Sequence, residues 1–130
     1  MHTSVGVIIK NDAGAILMLD RAAYPYGWAC PAGHVDEGEK PEQAARRETQ
    51  EETNIVVKEL QLVAEEFVEW NECVKGERGH YWYVYEATHW EGKVKRDTKE
   101  TKDIGWFRPE EINKEELEPM WKYWFQKLIQ

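Results

Sequence analysis

Three carboxylates crowd one short stretch of this 130-residue chain: Glu48, Glu51 and Glu52 lie in the run Arg47-Glu48-Thr49-Gln50-Glu51-Glu52. On a helix these glutamates stand at i, i+3 and i+4, so they share one face within a turn of each other. Like charges so placed repel. A divalent cation among them relieves the cost, and carboxylate oxygens are the donors that Mg²⁺ or Mn²⁺ prefers. The chemistry such a cluster supports is metal-assisted reaction at a phosphate. The competing reading is a solvated, Glu-rich helix face balanced by Arg46 and Arg47.

Residues further upstream weigh against that second reading. Gly33 and Glu39 precede the cluster at fixed distances, and residues 33–55 resemble the Nudix box, G-x5-E-x7-R-E-U-x-E-E-x-G-U with U aliphatic. The pattern is met at Gly33, Glu39, Arg47, Glu48, Glu51, Glu52 and Ile55, and departs at Thr49 and Asn54. Residue frequencies alone would align the charged and glycine positions by accident with a probability on the order of one in ten thousand. Both departures are mild. Thr keeps the β-branched shape of Val, and Asn is the next-best residue after Gly for a left-handed helix C-terminus.

The resemblance implies an α/β class protein, an α/β/α sandwich with a mixed β-sheet. It also implies hydrolysis of a pyrophosphate bond in a nucleoside diphosphate derivative, with water attacking phosphorus and Mg²⁺ or Mn²⁺ as the cofactor. Carried over residue by residue, Glu48, Glu51 and Glu52 become metal ligands, and one of them doubles as general base. Arg47 orients the cluster, and Glu39 supports it or binds a further metal through water. The backbone carbonyl of Ala32 joins the ligands. A later carboxylate is expected from the loop before a Trp-containing strand, where Glu100 fits best and Asp97 and Asp103 are its neighbours. Arg21, at the end of a strand, is the candidate phosphate contact, with an ordinary exposed arginine as the equal alternative. His34 reads as a bystander in the box loop, and His80 belongs to no motif.

The expected reaction takes a nucleoside triphosphate to monophosphate and pyrophosphate. Dinucleoside polyphosphates and nucleotide sugars are the alternatives: the residues at 71–73, Asn-Glu-Cys, carry neither the proline nor the tyrosine that marks two substrate groups of the family, while Arg47 to Glu52 behind Gly33-His34-Val35 also resembles another group of dinucleoside polyphosphate hydrolases. A non-catalytic nucleotide-binding module on the same fold is the alternative of another class; its usual sign is a lost box glutamate, and none is lost here. A merely acidic, metal-buffering domain would need the box to be coincidence.

Composition sets the outer bounds. The length suits one domain over residues 1–130 with a single core, and 42% hydrophobic with 32% charged residues is a globular balance. A formal charge of −8 argues against a nucleic-acid polymer as partner, since backbone binding needs a basic stripe, but permits a small phosphorylated nucleotide met locally by metal and a few cations. No apolar run approaches membrane length and no signal peptide precedes the first strand, so no membrane partner is expected. Cys30 and Cys73 have neither metal spacing nor a disulfide framework, which suits a reducing cytoplasm. A homodimer stays open.

The elements that must position the cluster follow from the periodicities. Residues 3–10 and 15–21 read as strands joined by a turn at 11–14, together a hairpin, and residues 22–31 as a loop delivering the chain to the box. A helix starts at Pro41 and runs to about Thr53; Ala44, Ala45 and Thr49 are its only inward candidates, so it must lie close against a sheet with its charged face toward a cleft. Residues 56–70 read as one or two strands, 72–79 as a polar connection, and 80–87 as a strand with Tyr81, Tyr83 and Tyr85 on one face and Trp82 and Val84 on the other. Residues 97–107 hold a loop and a short strand. From Pro109 the pattern is helical, with Leu117, Met120, Trp121, Trp124, Phe125 and Leu128 on a core-facing stripe.

Overall fold

The first apolar run forms strand β1, His2–Ile9, whose alternating side chains commit both of its faces to the interior. Val5, Val7 and Ile9 pack with Ala44 and Ala45, whereas Ile8 packs with Trp82, Trp121 and Trp124. The computed structural model describes residues 2–70 and 79–129 of the chain. It contains β2 (Ile16–Arg21), β3 (Gly27–Ala29), β4 (Ala32–His34), α1 (Pro41–Thr53), β5 (Val56–Val68), β6 (His80–Glu91), β7 (Thr101–Phe107) and α2 (Pro119–Leu128). The strands make two sheets. One is four-stranded and mixed, in the order β4-β1-β6-β5 with β1 and β6 parallel; the other is three-stranded and antiparallel, in the order β3-β2-β7.

The two helices cover opposite faces of the mixed sheet, as the two core clusters on the alternate residues of β1 require. Helix α1 has no large apolar side chain. It can sit close because Ala44, Ala45 and Thr49 are fully buried, and closeness is what brings its carboxylates to the sheet edge. Pro41 opens the helix, and Asn54 closes it in the left-handed conformation at φ 70°, so the departure from glycine costs little there. Helix α2 buries Met120, Trp121, Trp124 and Phe125, each contributing roughly 1.5–3 kcal/mol on burial. Trp121 comes so close to β1 that a Cβ on Gly6 would lie 2.5 Å from its ring, which only glycine avoids.

Several expectations need correction. The strands at 3–10 and 15–21 are not a hairpin; β1 and β2 belong to different sheets and share only the bridge Lys10–Ile16, because each has better partners elsewhere. The segment 22–31 is not all loop, since β3 pairs with β2 inside it. The chain after Pro109 is not one helix: two 3-10 turns, Pro109–Glu111 and Lys114–Glu116, come first, and Leu117 is buried through a bridge to Trp28 rather than on the helical stripe. Residues 56–70 form one strand ending at Val68, and the strand beginning at His80 continues to Glu91. The facing on β6 agrees with the alternation, Trp82 and Val84 on one core cluster and Tyr83 and Tyr85 on the other. The window 71–73 and the polar connection up to residue 78 lie outside the described residues. Among the described residues, no helix is long and apolar enough to cross a membrane.

Thr49 shows what its departure from an aliphatic residue costs. Its hydroxyl is buried in the α1 interface without a hydrogen-bond partner among the described residues. Replacing it by the isosteric Val removes an unsatisfied polar group, so Thr49→Val is expected to raise stability by about 1–2 kcal/mol, read as a higher midpoint in thermal unfolding.

Candidate functional site

From the bridge at Lys10–Ile16 the strands β1 and β2 diverge, and the cleft lies at their far ends. It has a volume of about 480 Å³ and is lined by Ser4 near the start of β1, Arg21 at the end of β2, Glu48, Glu51 and Glu52 of α1, and the β4 residues Ala32 to His34. Asp97 and Glu100 line it from the loop before β7, and Glu118 from the cap of α2. The loop reaches the end of β2 because the Ala22 N–H donates to the Glu100 carbonyl at 2.9 Å. Arg21 is held by a 2.7 Å hydrogen bond from its Nε to the Pro25 carbonyl. Asp103 pairs across β7 with Asp20 and does not line the cleft.

Arg47 organises the carboxylates. Its Nε and Nη2 donate to the two oxygens of Glu39 at 2.9 and 3.0 Å, its Nη1 to Glu48 at 2.8 Å and Glu51 at 3.3 Å, and Nη2 also to the His34 carbonyl at 3.0 Å. A planar fork reaching five oxygens on four residues is what guanidinium geometry allows and a lysine ammonium does not. Arg46, by contrast, turns to the carbonyls of Val57 and Lys58. The box spacing acquires a physical meaning here: Gly33 lies where a Cβ would stand 2.2 Å from the Glu48 carboxyl carbon, so any side chain would expel that carboxylate.

The acids differ sharply. Hydrogen bonding to Arg47 and to the Asp36 N–H holds Glu39 down to about 2. Burial raises Glu48, with Arg47 opposing. Glu52 is 7% exposed, and burial pushes it up to about 8 despite a 2.9 Å hydrogen bond from the Ala32 N–H, with Glu48 and Glu100 adding repulsion. Buried oxygen donors that resist ionising beside like charges are a fitting donor set for a hard divalent cation. The carboxylates line one cleft, but they are not drawn into a single tight shell. Among the described residues, the only trio whose ligand atoms all lie within 4.8 Å of each other is His2, His34 and His80.

The opposed shifts predict a stability profile. Glu52, raised from 4.5 to about 8, favours the folded state at low pH and loses that contribution as pH climbs from 4.5 through 8. Glu39, lowered from 4.5 to about 2, contributes above 4.5 and loses it as pH falls toward 2. With metal chelated, the unfolding midpoint is therefore expected to peak on the acidic side and to fall by on the order of 10 °C toward pH 8, a drop that Mg²⁺ diminishes. A profile that rises from pH 5 to 8 under chelation would contradict the burial of Glu52.

Sequence reasoning pointed to Glu48, Glu51, Glu52, Ala32, Arg21 and Glu100, and all six line the cleft. Glu39 and Arg47 stand behind it as the brace. It missed Glu118, Tyr24 and Trp82, which carry no motif and reach the cleft through tertiary packing, and Asp36, which stands at an unconstrained position of the box. His34, read as a bystander, supplies a carbonyl to Arg47 and a ring to the histidine trio.

A model of the NUDIX domain matches residues 1–128. A protein of Cereibacter sphaeroides named RNA pyrophosphohydrolase is 43% identical over 61 residues, 46% of this chain and 38% of that protein. The chain thus spans little more than a third of the length of the curated relatives it matches. The crystal structure of a MutT NUDIX hydrolase from Burkholderia pseudomallei superposes with a TM-score of 0.84 at 24% identity, covering 98% of this chain and 97% of that one. That of an Ap4A hydrolase binary complex from C. elegans gives 0.60 at 27%, covering 84% and 82%.

Proposed function

The chain belongs to the Nudix family, and on that premise we propose that it is a divalent-metal-dependent enzyme hydrolysing a pyrophosphate bond of a nucleotide, splitting a nucleoside triphosphate into monophosphate and pyrophosphate. The observation that carries this reading is the Arg47 fork, which fixes Glu48 and Glu51 on the cleft wall beside Glu52. A charged helix face with no further task would not need a glycine cut away to admit one of its carboxylates.

Glu48, Glu51, Glu52 and the Ala32 carbonyl would hold Mg²⁺ or Mn²⁺, with Glu100 added from the opposite loop. When bound, such a cation neutralises charge on phosphate oxygens and acidifies a water molecule. Arg21 meets the phosphates from the β2 side, where its Nε is already fixed by the Pro25 carbonyl. A carboxylate of the cluster accepts the proton of the attacking water, and the walls hold the phosphorus in line with it. Glu39 and Arg47 set positions and touch no reacting atom.

The four box glutamates are all present, which favours catalysis over a binding module. The net charge of −8 favours a small nucleotide over the RNA named in the relatives. The test is a panel of nucleoside triphosphates, dinucleoside polyphosphates, nucleotide sugars and 5′-triphosphorylated RNA, incubated with Mg²⁺ and resolved by product. Nucleoside triphosphates are expected to show the highest kcat/KM. Turnover of another arm with triphosphates inert would overturn the substrate assignment and leave the reaction class standing.

A further inference from the structure

Strands β4, β1 and β6 are consecutive in the mixed sheet, and each brings one histidine to the same place. His2 and His80 are direct partners in the parallel β1–β6 pair, and His34 is the partner of Ser4 in the antiparallel β1–β4 pair. By the pleat, His2 and Ser4 share a face. His34 and His80, two strands apart, reach across β1 on that face until their Nε2 atoms are 3.3 Å apart. The His2 ring lies 5.1 Å from His34 and 5.8 Å from His80, centroid to centroid. One nitrogen from each ring falls within 4.8 Å of the other two.

We propose that His2, His34 and His80 form a binding site for a borderline divalent cation of the Zn²⁺ class, separate from the carboxylate cluster. Imidazole nitrogen suits Zn²⁺, Co²⁺, Ni²⁺ and Cu²⁺, whereas Mg²⁺ takes oxygen, so two chemically distinct metal sites can coexist in one cleft. A tetrahedral ion about 2.0–2.1 Å from two nitrogens spaces them roughly 3.3–3.4 Å apart, the separation found between His34 and His80. The third ring distinguishes this arrangement from a plain histidine pair sharing a hydrogen bond. Rings mounted on three paired strands are held more firmly than rings on loops. His80 is buried and His34 exposed, and both line the cleft, so the site has an anchored side and an open one. Three protein ligands leave a fourth position for water or a ligand oxygen. The surrounding Asp36, Glu48, Glu51, Glu52, Glu100 and Glu118 draw cations into the cleft.

The test is a titration with Co²⁺ in excess Mg²⁺, followed by visible absorption. The site predicts an intense band of a four- or five-coordinate ion saturating at one equivalent and bleached by Zn²⁺. His34→Gln, at an exposed position whose loss leaves the core intact, should weaken Co²⁺ binding by at least about tenfold, since even outer contacts of a metal site are worth that much. Glu51→Gln should leave the band unchanged. Only the faint spectrum of a six-coordinate ion, a band indifferent to His34→Gln, or a band lost in Glu51→Gln would each overturn the proposal.

Discussion

Glu52→Gln is expected to lower kcat by roughly a thousandfold while leaving the fold intact. A cation at a phosphate contributes several kcal/mol of transition-state stabilisation, each 1.4 kcal/mol or so being tenfold in rate, and removing a charged ligand forfeits much of that. The amide oxygen of Gln can still accept the Ala32 N–H, so the β4–α1 contact persists. The neutral side chain also escapes the burial that raises Glu52 to about 8, so at pH 8 with metal chelated the variant should melt at a higher temperature than the wild type. Activity and stability moving in opposite directions is the signature. A variant as active as wild type at saturating Mg²⁺ would remove Glu52 from the metal site.

Arg47→Ala attacks the brace instead of the ligands. Glu39 loses both of its bonds from the guanidinium and keeps only the Asp36 N–H, and Glu48 and Glu51 lose the cation that holds them together. Loss of charge-assisted hydrogen bonds at this half-buried position should cost on the order of 1–3 kcal/mol of stability. Carboxylates displaced by about an ångström should cost on the order of a hundredfold in kcat/KM, accompanied by a higher Mg²⁺ concentration for half-maximal rate. Arg47→Lys should recover little of either, because a point charge cannot bridge both Glu39 oxygens. If the lysine variant were fully active with unchanged Mg²⁺ dependence, Arg47 would be a surface charge and nothing more.

Helix α1 was legible almost to the residue because every signal for it is local: proline at its start, alanines inward, glutamates at i, i+3 and i+4, and asparagine taking the left-handed turn at its end. The strands were legible from alternation, but their partners were not. Nothing near residues 10–16 says that β1 and β2 part after one bridge, since that depends on β6 and β7, some seventy or more residues away. The short strand β3 was hidden by its own glycine and by the prolines and tyrosines that flank it, and exists through pairing with β2. The segment 109–118 carries helical periodicity but is held by the Trp28–Leu117 bridge and the cap at Glu118, which end the 3-10 turns and restart the chain as α2.

The site divides in the same way. The box spells out one wall of the cleft because its carboxylates and their glycine are close in sequence. The opposite wall, with Glu118, Tyr24 and Trp82, comes from three separate parts of the chain and has no spacing to read. The histidine trio was invisible for the same reason: residues 2, 34 and 80 meet only through the strand order β4-β1-β6.

The most direct measurement of the central claim is hydrolysis of a nucleoside triphosphate in water enriched in heavy oxygen, with Mg²⁺ and with chelator, the products read by mass. Water attack at one phosphorus in the carboxylate-lined cleft places the label in either the monophosphate or the pyrophosphate, never both, and the chelated sample stays inert. Nucleotides bound tightly in the presence of Mg²⁺ or Mn²⁺, with no labelled product from any of them, would contradict catalysis and leave a nucleotide-binding module in its place.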